Sequence, residues 1–136
     1  MLIEAAKQLE QSRFALKQQI SDKHGMVGVL LSRDDDLYCL VAKKYAYHEK
    51  ASFIKQVAEF SANKSIHLIF YQSDEDRYTV FDPVMVNDFG KDSVGDSKKG
   101  AAEWREIPLT YGVSLDDHLS GVTPTLPGNQ AQLVGF

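Results

Sequence analysis

Four stretches between residues 37 and 83 decide the fold of this chain. They read LYCLVAKK at 37–44, HEKASFIKQVAEFSANK at 48–64, IHLIFYQ at 66–72 and RYTVFDP at 77–83. The first and third are short apolar runs, typical of strands buried on both faces, and the fourth alternates like a strand. The second predicts a helix over 47–64, whose buried face would hold Phe53, Ile54, Val57, Phe60 and Ser61. A helix between two strands implies a crossover and therefore some parallel pairing in a mixed sheet.

The segment before residue 37 predicts a helix and one further strand. Apolar residues recur every three or four positions over 2–21, which is typical of an amphipathic helix interrupted by Arg13. Residues 26–32 form another apolar run, and Asp34, Asp35 and Asp36 separate it from 37–43. Two apolar runs around a polar turn predict a β-hairpin.

The segment after residue 86 has less regular patterning. We divide the chain into an α/β core at 1–86 and an irregular annex with a tail at 87–136, both within one domain. Residues 88–100 read as a loop and 104–111 as a short strand. Ser114 followed by Asp117 resembles a capping box and predicts a helical turn over 115–119. The predicted fold class is α/β, with a mixed sheet of about four to five strands and two main helices.

Composition favours a soluble globular protein. The chain has 136 residues, of which 43% are hydrophobic and 25% charged, and its formal net charge is −4. This charge argues mildly against a dedicated nucleic-acid binder but permits a local basic patch. Charges interrupt the first seven residues, and the apolar runs are short, so we expect a cytoplasmic protein without a membrane partner. The single cysteine, Cys39, lies in an apolar run and is expected in the core.

The order of elements resembles the core of the restriction-endonuclease-like PD-(D/E)XK superfamily, and archaeal Holliday junction resolvases look most similar. The segment 38–44 resembles the strand that carries the E-x-K motif, and 49–60 resembles the helix that follows it. The runs 66–71 and 77–83 resemble the two closing strands. The resemblance covers residues 2–83 and implies a restriction-endonuclease-like core.

The resemblance also implies a site, from which this sequence departs. In the family, a strand aspartate and the E-x-K glutamate hold Mg²⁺, and the lysine positions or activates water; Mg²⁺ prefers such oxygen ligands. Aligning Lys43 with the family lysine places Val41 at the glutamate position. Val27, Gly28 and Val29 stand where the aspartate is expected. The resemblance therefore implies a nuclease-like fold with a degenerate active site and no bound cofactor.

Other residue patterns give weaker signals. Lys43, Lys44, Lys98 and Lys99 are the residues expected to contact phosphates, and Arg105 could extend this basic surface. The acidic runs 34–36 and 74–76 are expected as polar turns rather than metal sites. The histidines lack metal-ligand spacing; His67 is expected in the core, and His48 is the only acid–base candidate. Aromatic residues near the strand ends could stack on bases but more often pack a sheet.

Three functional hypotheses remain open at this stage. The first is a nucleic-acid-associated protein, binding DNA or RNA, that has lost catalysis. The second is a non-enzymatic module that binds a protein partner or assembles into an oligomer. The third is an active Mg²⁺-dependent nuclease that uses displaced carboxylates such as Glu10, Asp36 and Glu49 together with Lys43. Salt-dependent binding to DNA separates the first two, because phosphate contacts weaken steeply with salt.

Overall fold

A computed structural model describes residues 1–22, 25–93 and 104–122. Its elements in chain order are listed here with their bounds. They are α1 (Leu2–Leu9), β1 (Ala15–Asp22), β2 (Gly25–Arg33), β3 (Asp36–Lys43), β4 (Lys50–Ile54), α2 (Lys55–Lys64), β5 (His67–Gln72), β6 (Arg77–Phe81), α3 (Met85–Phe89), β7 (Lys91–Ser93), β8 (Trp104–Pro108), β9 (Val113–Ser114) and α4 (Leu115–Leu119). Short 3-10 helices occupy Glu10–Ser12, Tyr47–Glu49 and Leu109–Tyr111. The described residues include no helix long and apolar enough to cross a membrane.

The main sheet is mixed and has six strands in the order β1-β2-β3-β5-β6-β9. The hairpin β2–β3 forms as the sequence predicts. β3 and β5 pair in parallel, which confirms the predicted crossover, and all other neighbours in this sheet are antiparallel. A second sheet has the strand order β4-β8-β7. It joins β4, which precedes α2, to β7 and β8, which follow α3. The mixed α/β class is therefore confirmed, with more strands than expected.

Each face of the main sheet carries its own hydrophobic core. On the face we call the α2 face, Val41, Phe70 and Phe81 pack against Phe53 and Val57 of the elements that cover them. On the opposite face, called the α1 face, Leu40, Ile69 and Val80 pack against α1, with α4 at the edge of the cluster. Because side chains alternate along a strand, this division assigns every strand residue to one face. Val41 and Ile69 are both buried, as expected.

The predicted helix over 2–21 is wrong beyond residue 12. α1 ends at Leu9, and Arg13 adopts a left-handed conformation with φ of 69° before the chain enters β1. β1 covers the open edge of β2 and pairs with it over seven register positions. Its side chains are almost all exposed, so Leu16 and Ile20 do not form a buried helical stripe. The backbone hydrogen bonds between β1 and β2 have overridden the helical periodicity of this segment.

The predicted helix over 47–64 forms only in its second half. His48 and Glu49 have positive φ angles of 55° and 59°, which break the helix before β4. In β4, Ala51 and Phe53 alternate inward and both are buried, whereas a helix would place them on different faces. Phe60 on α2 is 36% exposed, so its assignment to the core is wrong.

The segment after residue 86 contributes to both sheets. β8 pairs with β4 through five register positions, and β9 adds the last strand of the main sheet beside β6. The helical turn at 115–119 is confirmed, with Ser114 Oγ accepting a hydrogen bond from the backbone N–H of Asp117. The predicted loop at 88–100 is wrong over its described part, where α3 ends at Phe89 and Lys91–Ser93 form β7; the rest of that segment and the tail beyond Val122 lie outside the described residues.

Candidate phosphate-contacting site at Lys43

Three polar side chains form a row across the carboxyl end of the parallel strands. Lys43 of β3 is the register partner of Gln72 of β5, and Gln72 is the partner of Arg77 of β6. Register partners point to the same side, and all three fall on the α2 face by alternation from Val41 and Phe70. Ligands of open α/β sheets commonly bind just outside the carboxyl ends of parallel strands. We call Lys43, Gln72 and Arg77 the lysine-end row.

Lys43 holds its ammonium group against an aromatic ring. Its Nζ lies 4.2 Å from the ring centroid of Trp104, the first residue of β8. This distance is that of a cation–π interaction. Both side chains are half-buried, and desolvation lowers the pKa of Lys43. Within residues 1–22, 25–93 and 104–122, Lys43 forms no ion pair. A bound anion would therefore stabilise a charge that has lost part of its hydration.

Gln72 is the most buried member of the row. It is 4% exposed, and its Nε2 donates a hydrogen bond of 2.8 Å to Asp74 Oδ1. Its Oε1 is buried and has no partner among the described residues. Buried polar atoms are normally hydrogen-bonded, so this acceptor is an exception among the described residues.

The turn after β5 is fastened to the end of β3. The backbone N–H groups of Ser73 and Asp74 donate to the carbonyls of Lys43 and Lys44, at 2.9 and 3.0 Å. Tyr71 Oη donates 2.7 Å to Asp76 Oδ1, and this bond raises the pKa of Tyr71 to about 12. These contacts fix the lysine-end row and account for the acidic run at 74–76 as a structured turn.

Arg77 extends the row towards a recess on the same side of the sheet. This recess has a volume of about 240 Å³ and is lined by Arg77, Thr79, Glu49 and the backbone around Gly112. A Cβ at Gly112 would lie 2.7 Å from the carbonyl oxygen of Val80, so only glycine fits there. Arg77 reaches Glu75 at 3.6 Å in an exposed pair, which contributes little stability and leaves the guanidinium available.

The structure separates the residues that the nuclease hypothesis would bring together. Glu10 lies in the 3-10 helix after α1, which packs on the α1 face, opposite Lys43. Glu49 lies on the α2 face but lines the recess beside Arg77. In the part of the chain that is described, no three His, Cys, Asp or Glu side chains form a group able to hold a metal ion. The residues present therefore do not fit the Mg²⁺ cage that the resemblance implies.

The other predicted phosphate contacts have different outcomes. Lys44 is exposed, follows the end of β3, and has its Nζ 5.3 Å from the ring centroid of Tyr45. Lys98 and Lys99 lie outside the described residues. Arg105 does not extend a basic surface, because its Nη2 donates 2.7 Å hydrogen bonds to the carbonyls of Asn87 and Gly90 at the end of α3.

The acidic run at 34–36 contains the turn between β2 and β3. Asp34 has a positive φ of 55° and pairs with Arg33 at 3.3 Å. His48, the acid–base candidate, is exposed.

Sequence reasoning missed Trp104, Gln72 and Arg77 as members of this site. Trp104 is 61 positions from Lys43 in the chain, and only the pairing of β8 with β4 brings it close. Gln72 and Arg77 could have been found by continuing the register from Lys43 across the predicted strands.

No protein-family model, curated protein or solved structure matches this chain.

Proposed function

We propose that this chain is a nucleic-acid-associated protein with a restriction-endonuclease-like core, whose active site has lost the metal-binding carboxylates. The observation that carries the proposal is the ammonium group of Lys43, half-buried on Trp104 without a carboxylate partner in the described chain. Lysine commonly binds phosphate, with its ammonium group acting as a compact point charge.

The surroundings of Lys43 support a contact with single-stranded or branched nucleic acid. Trp104 offers an aromatic surface beside a cation, and stacking on such a ring contributes roughly 1–3 kcal/mol per base. Arg77 lies two strands away in the same row and could reach a second phosphate. The net charge of −4 gives no general attraction to nucleic acid, so the proposed contact is a local one.

The same geometry argues against hydrolysis at this site. Val41 is 7% exposed in the α2-face core, where the family glutamate would stand. Glu49 is one carboxylate beside a recess, and metal-assisted phosphodiester cleavage needs convergent hard anionic ligands. Lys43 thus supplies binding and orientation.

Fluorescence anisotropy with labelled single-stranded DNA, duplex DNA and a four-way junction tests this proposal. Binding should weaken between about 50 and 200 mM salt, because phosphate contacts release counterions. Lys43→Ala should reduce the salt slope by about one unit, whereas the matched control Lys44→Ala should change it much less. No binding by the unmodified protein at about 50 mM salt would overturn the proposal.

A parallel incubation addresses catalysis. The same substrates with Mg²⁺ or Mn²⁺ should remain intact over hours. Cutting that EDTA abolishes and that Lys43→Ala removes would establish the displaced-carboxylate nuclease instead.

The alternative function is a protein-interaction or assembly module, and one observation favours it. An apolar recess of about 260 Å³ lies between β1 and α2, lined mainly by Ile20, Val27, Ile54, Val57 and Phe60. Light scattering on the unmodified protein and on Phe60→Glu tests a second copy as the partner. A concentration-dependent dimer that Phe60→Glu dissociates, together with absent DNA binding, would select this alternative.

A further inference from the structure

Two exposed tyrosines follow the Lys43 end of the main sheet. Tyr45 and Tyr47 lie in the segment that connects β3 to β4, and their ring centroids are 5.6 Å apart. Tyr45 is 44% exposed and Tyr47 is 70% exposed, so Tyr47 is the most exposed large hydrophobic side chain of the described residues. Burial of aromatic rings stabilises a fold, and two contacting rings left in water therefore point to a role in binding. We call Tyr45 and Tyr47 the tyrosine pair.

The backbone of this segment holds both rings away from the core. Ala46, between them, packs against the α2-face core, and its φ and ψ of −110° and 93° are extended. Because neighbouring side chains of an extended segment point to opposite sides, Tyr45 and Tyr47 point outward. His48 and Glu49 follow with left-handed φ angles of 55° and 59°, and the Glu49 N–H donates a 3.2 Å hydrogen bond to the Ala46 carbonyl. A hydrogen-bonded turn therefore presents the tyrosine pair to solvent.

Lysines flank the tyrosine pair. The segment 43–50 holds three lysines and one glutamate, in a chain whose formal net charge is −4. Lys44 Nζ lies 5.3 Å from the ring centroid of Tyr45, and Lys50 is exposed at the start of β4. Tyr45 is two residues from Lys43, so their Cα atoms are at most about 7 Å apart. An anionic ligand held by Lys43 would therefore reach the tyrosine pair.

Exposed aromatic rings beside cations are the features that bind unpaired bases. Bases of a single strand stack on tyrosine rings, and every base offers such a face, so this contact does not depend on sequence. The bases of a duplex already stack on each other and expose only their edges in the grooves. A surface built from the tyrosine pair therefore favours a single strand over a duplex.

We propose that the tyrosine pair stacks on an unpaired base of single-stranded DNA or RNA while Lys43 contacts a neighbouring phosphate. Because it requires a phosphate at Lys43, this stacking site rests on the proposed function, and it narrows the ligand to a strand with unpaired bases. The two contacts differ in kind. The Lys43 contact releases counterions and weakens with salt, whereas stacking on Tyr47 releases none, so the two can be measured separately.

Fluorescence anisotropy with two labelled single strands of equal length tests the proposal. One is an oligothymidylate, and the other is its abasic counterpart, which carries the same phosphates without bases. The unmodified protein should bind the oligothymidylate more tightly than the abasic strand. Tyr47→Leu should weaken oligothymidylate binding roughly 5- to 100-fold, as loss of one stacked base does, and should leave the salt slope unchanged. An oligouridylate of the same length serves as the RNA probe.

Two control variants isolate the role of the ring. Tyr47→Phe keeps the aromatic face and should retain affinity within about twofold. Phe89→Leu removes another exposed aromatic ring, which is 45% exposed at the end of α3, and should leave binding unchanged. Equal losses in Tyr47→Leu and Phe89→Leu would overturn the stacking site.

The outcomes separate this site from the proposed function on which it rests. Salt-dependent binding that Lys43→Ala weakens and Tyr47→Leu leaves unchanged would overturn the stacking site alone, and equal binding of the abasic strand would do the same. No binding of any strand by the unmodified protein at about 50 mM salt would overturn both.

A measurement on the unmodified protein keeps the test decisive without any variant. The ring resonances of Tyr47 should shift when oligothymidylate is added and stay in place when the abasic strand is added. Shifts at Trp104 with unchanged Tyr47 resonances would overturn the stacking site.

Discussion

At the carboxyl ends of β3 and β5 the main sheet presents Lys43 and Gln72, whereas at their amino ends it presents Tyr38 and His67. The same two strands thus carry different chemistry at their two ends and on their two faces. The Lys43 end combines a partly desolvated cation with an aromatic ring and suits an anion. The Tyr38 end instead combines a tyrosine hydroxyl with two imidazole rings, and Tyr38 Oη lies 2.8 Å from His118 Nε2. The contrast shows that one strand pair can present different polar groups at its two ends, because its pleat and its length separate them.

The α2-face core should respond most strongly to substitution, and it supports the Lys43 end. Phe53 of β4 is 1% exposed and packs against Phe70 and Phe81 at ring-centroid distances of 5.8 and 5.7 Å. Phe53→Ala should cost roughly 3–5 kcal/mol of unfolding free energy, measured by denaturant titration. The half-exposed Phe60 serves as the control, and Phe60→Ala should cost under ~1 kcal/mol. Equal losses at the two positions would contradict the assignment of β4 as a buried strand.

The hydrogen bond between Tyr71 and Asp76, in the turn next to the Lys43 end, should affect the stability of the protein at alkaline pH. The pKa of Tyr71 is raised to about 12 by its hydrogen bond to Asp76 and by burial. A raised folded-state pKa stabilises the protein below the unfolded value of about 10, and this contribution is lost as pH rises through 12. Tyr71→Phe should cost about 1.5 kcal/mol at pH 8 and should flatten the fall in stability between pH 10 and 12.

Denaturant titrations of the unmodified protein and of Tyr71→Phe across this alkaline range measure the difference in how their stability falls with pH. An unchanged slope in Tyr71→Phe would mean that Tyr71 already ionises near its ordinary pKa in the folded protein.

A substitution at the start of α4, the helix that carries His118, should perturb the Tyr38 end of the sheet selectively. Ser114 caps α4 through a 3.2 Å bond from the Asp117 N–H, so Ser114→Ala should cost about 1 kcal/mol. Because α4 positions His118 beside Tyr38, at the opposite end of β3 from Lys43, binding of single-stranded DNA should stay unchanged. Loss of DNA binding in this variant would show that the two ends are coupled.

The smallest expected change concerns the outer member of the lysine-end row. Arg77 is exposed and only weakly paired with Glu75, so Arg77→Gln should leave stability within about 0.5 kcal/mol. If a second phosphate sits there, the salt slope for DNA should fall by a further unit or less relative to the unmodified protein. An unaltered slope would confine the phosphate contact to Lys43.

The sequence by itself determined the centre of the molecule. The apolar runs at 26–32, 37–43, 66–71 and 77–81 predict β2, β3, β5 and β6, because continuous burial on both faces leaves a clear signal. The crossover and the parallel pairing of β3 with β5 follow from the helix between them. The cap at Ser114 is also local, since donor and acceptor lie three residues apart.

Only the tertiary structure decided the edges and the sites. β1 reads as a helix because its polar residues tolerate either conformation, and the open edge of β2 selects the strand. β4 exists because β8, about fifty residues later, supplies its hydrogen bonds. Trp104 reaches Lys43 and His118 reaches Tyr38 through the same kind of long-range pairing, which leaves no periodic signal in the sequence. Local patterning thus specified which residues are buried, and chain folding specified which polar side chains meet.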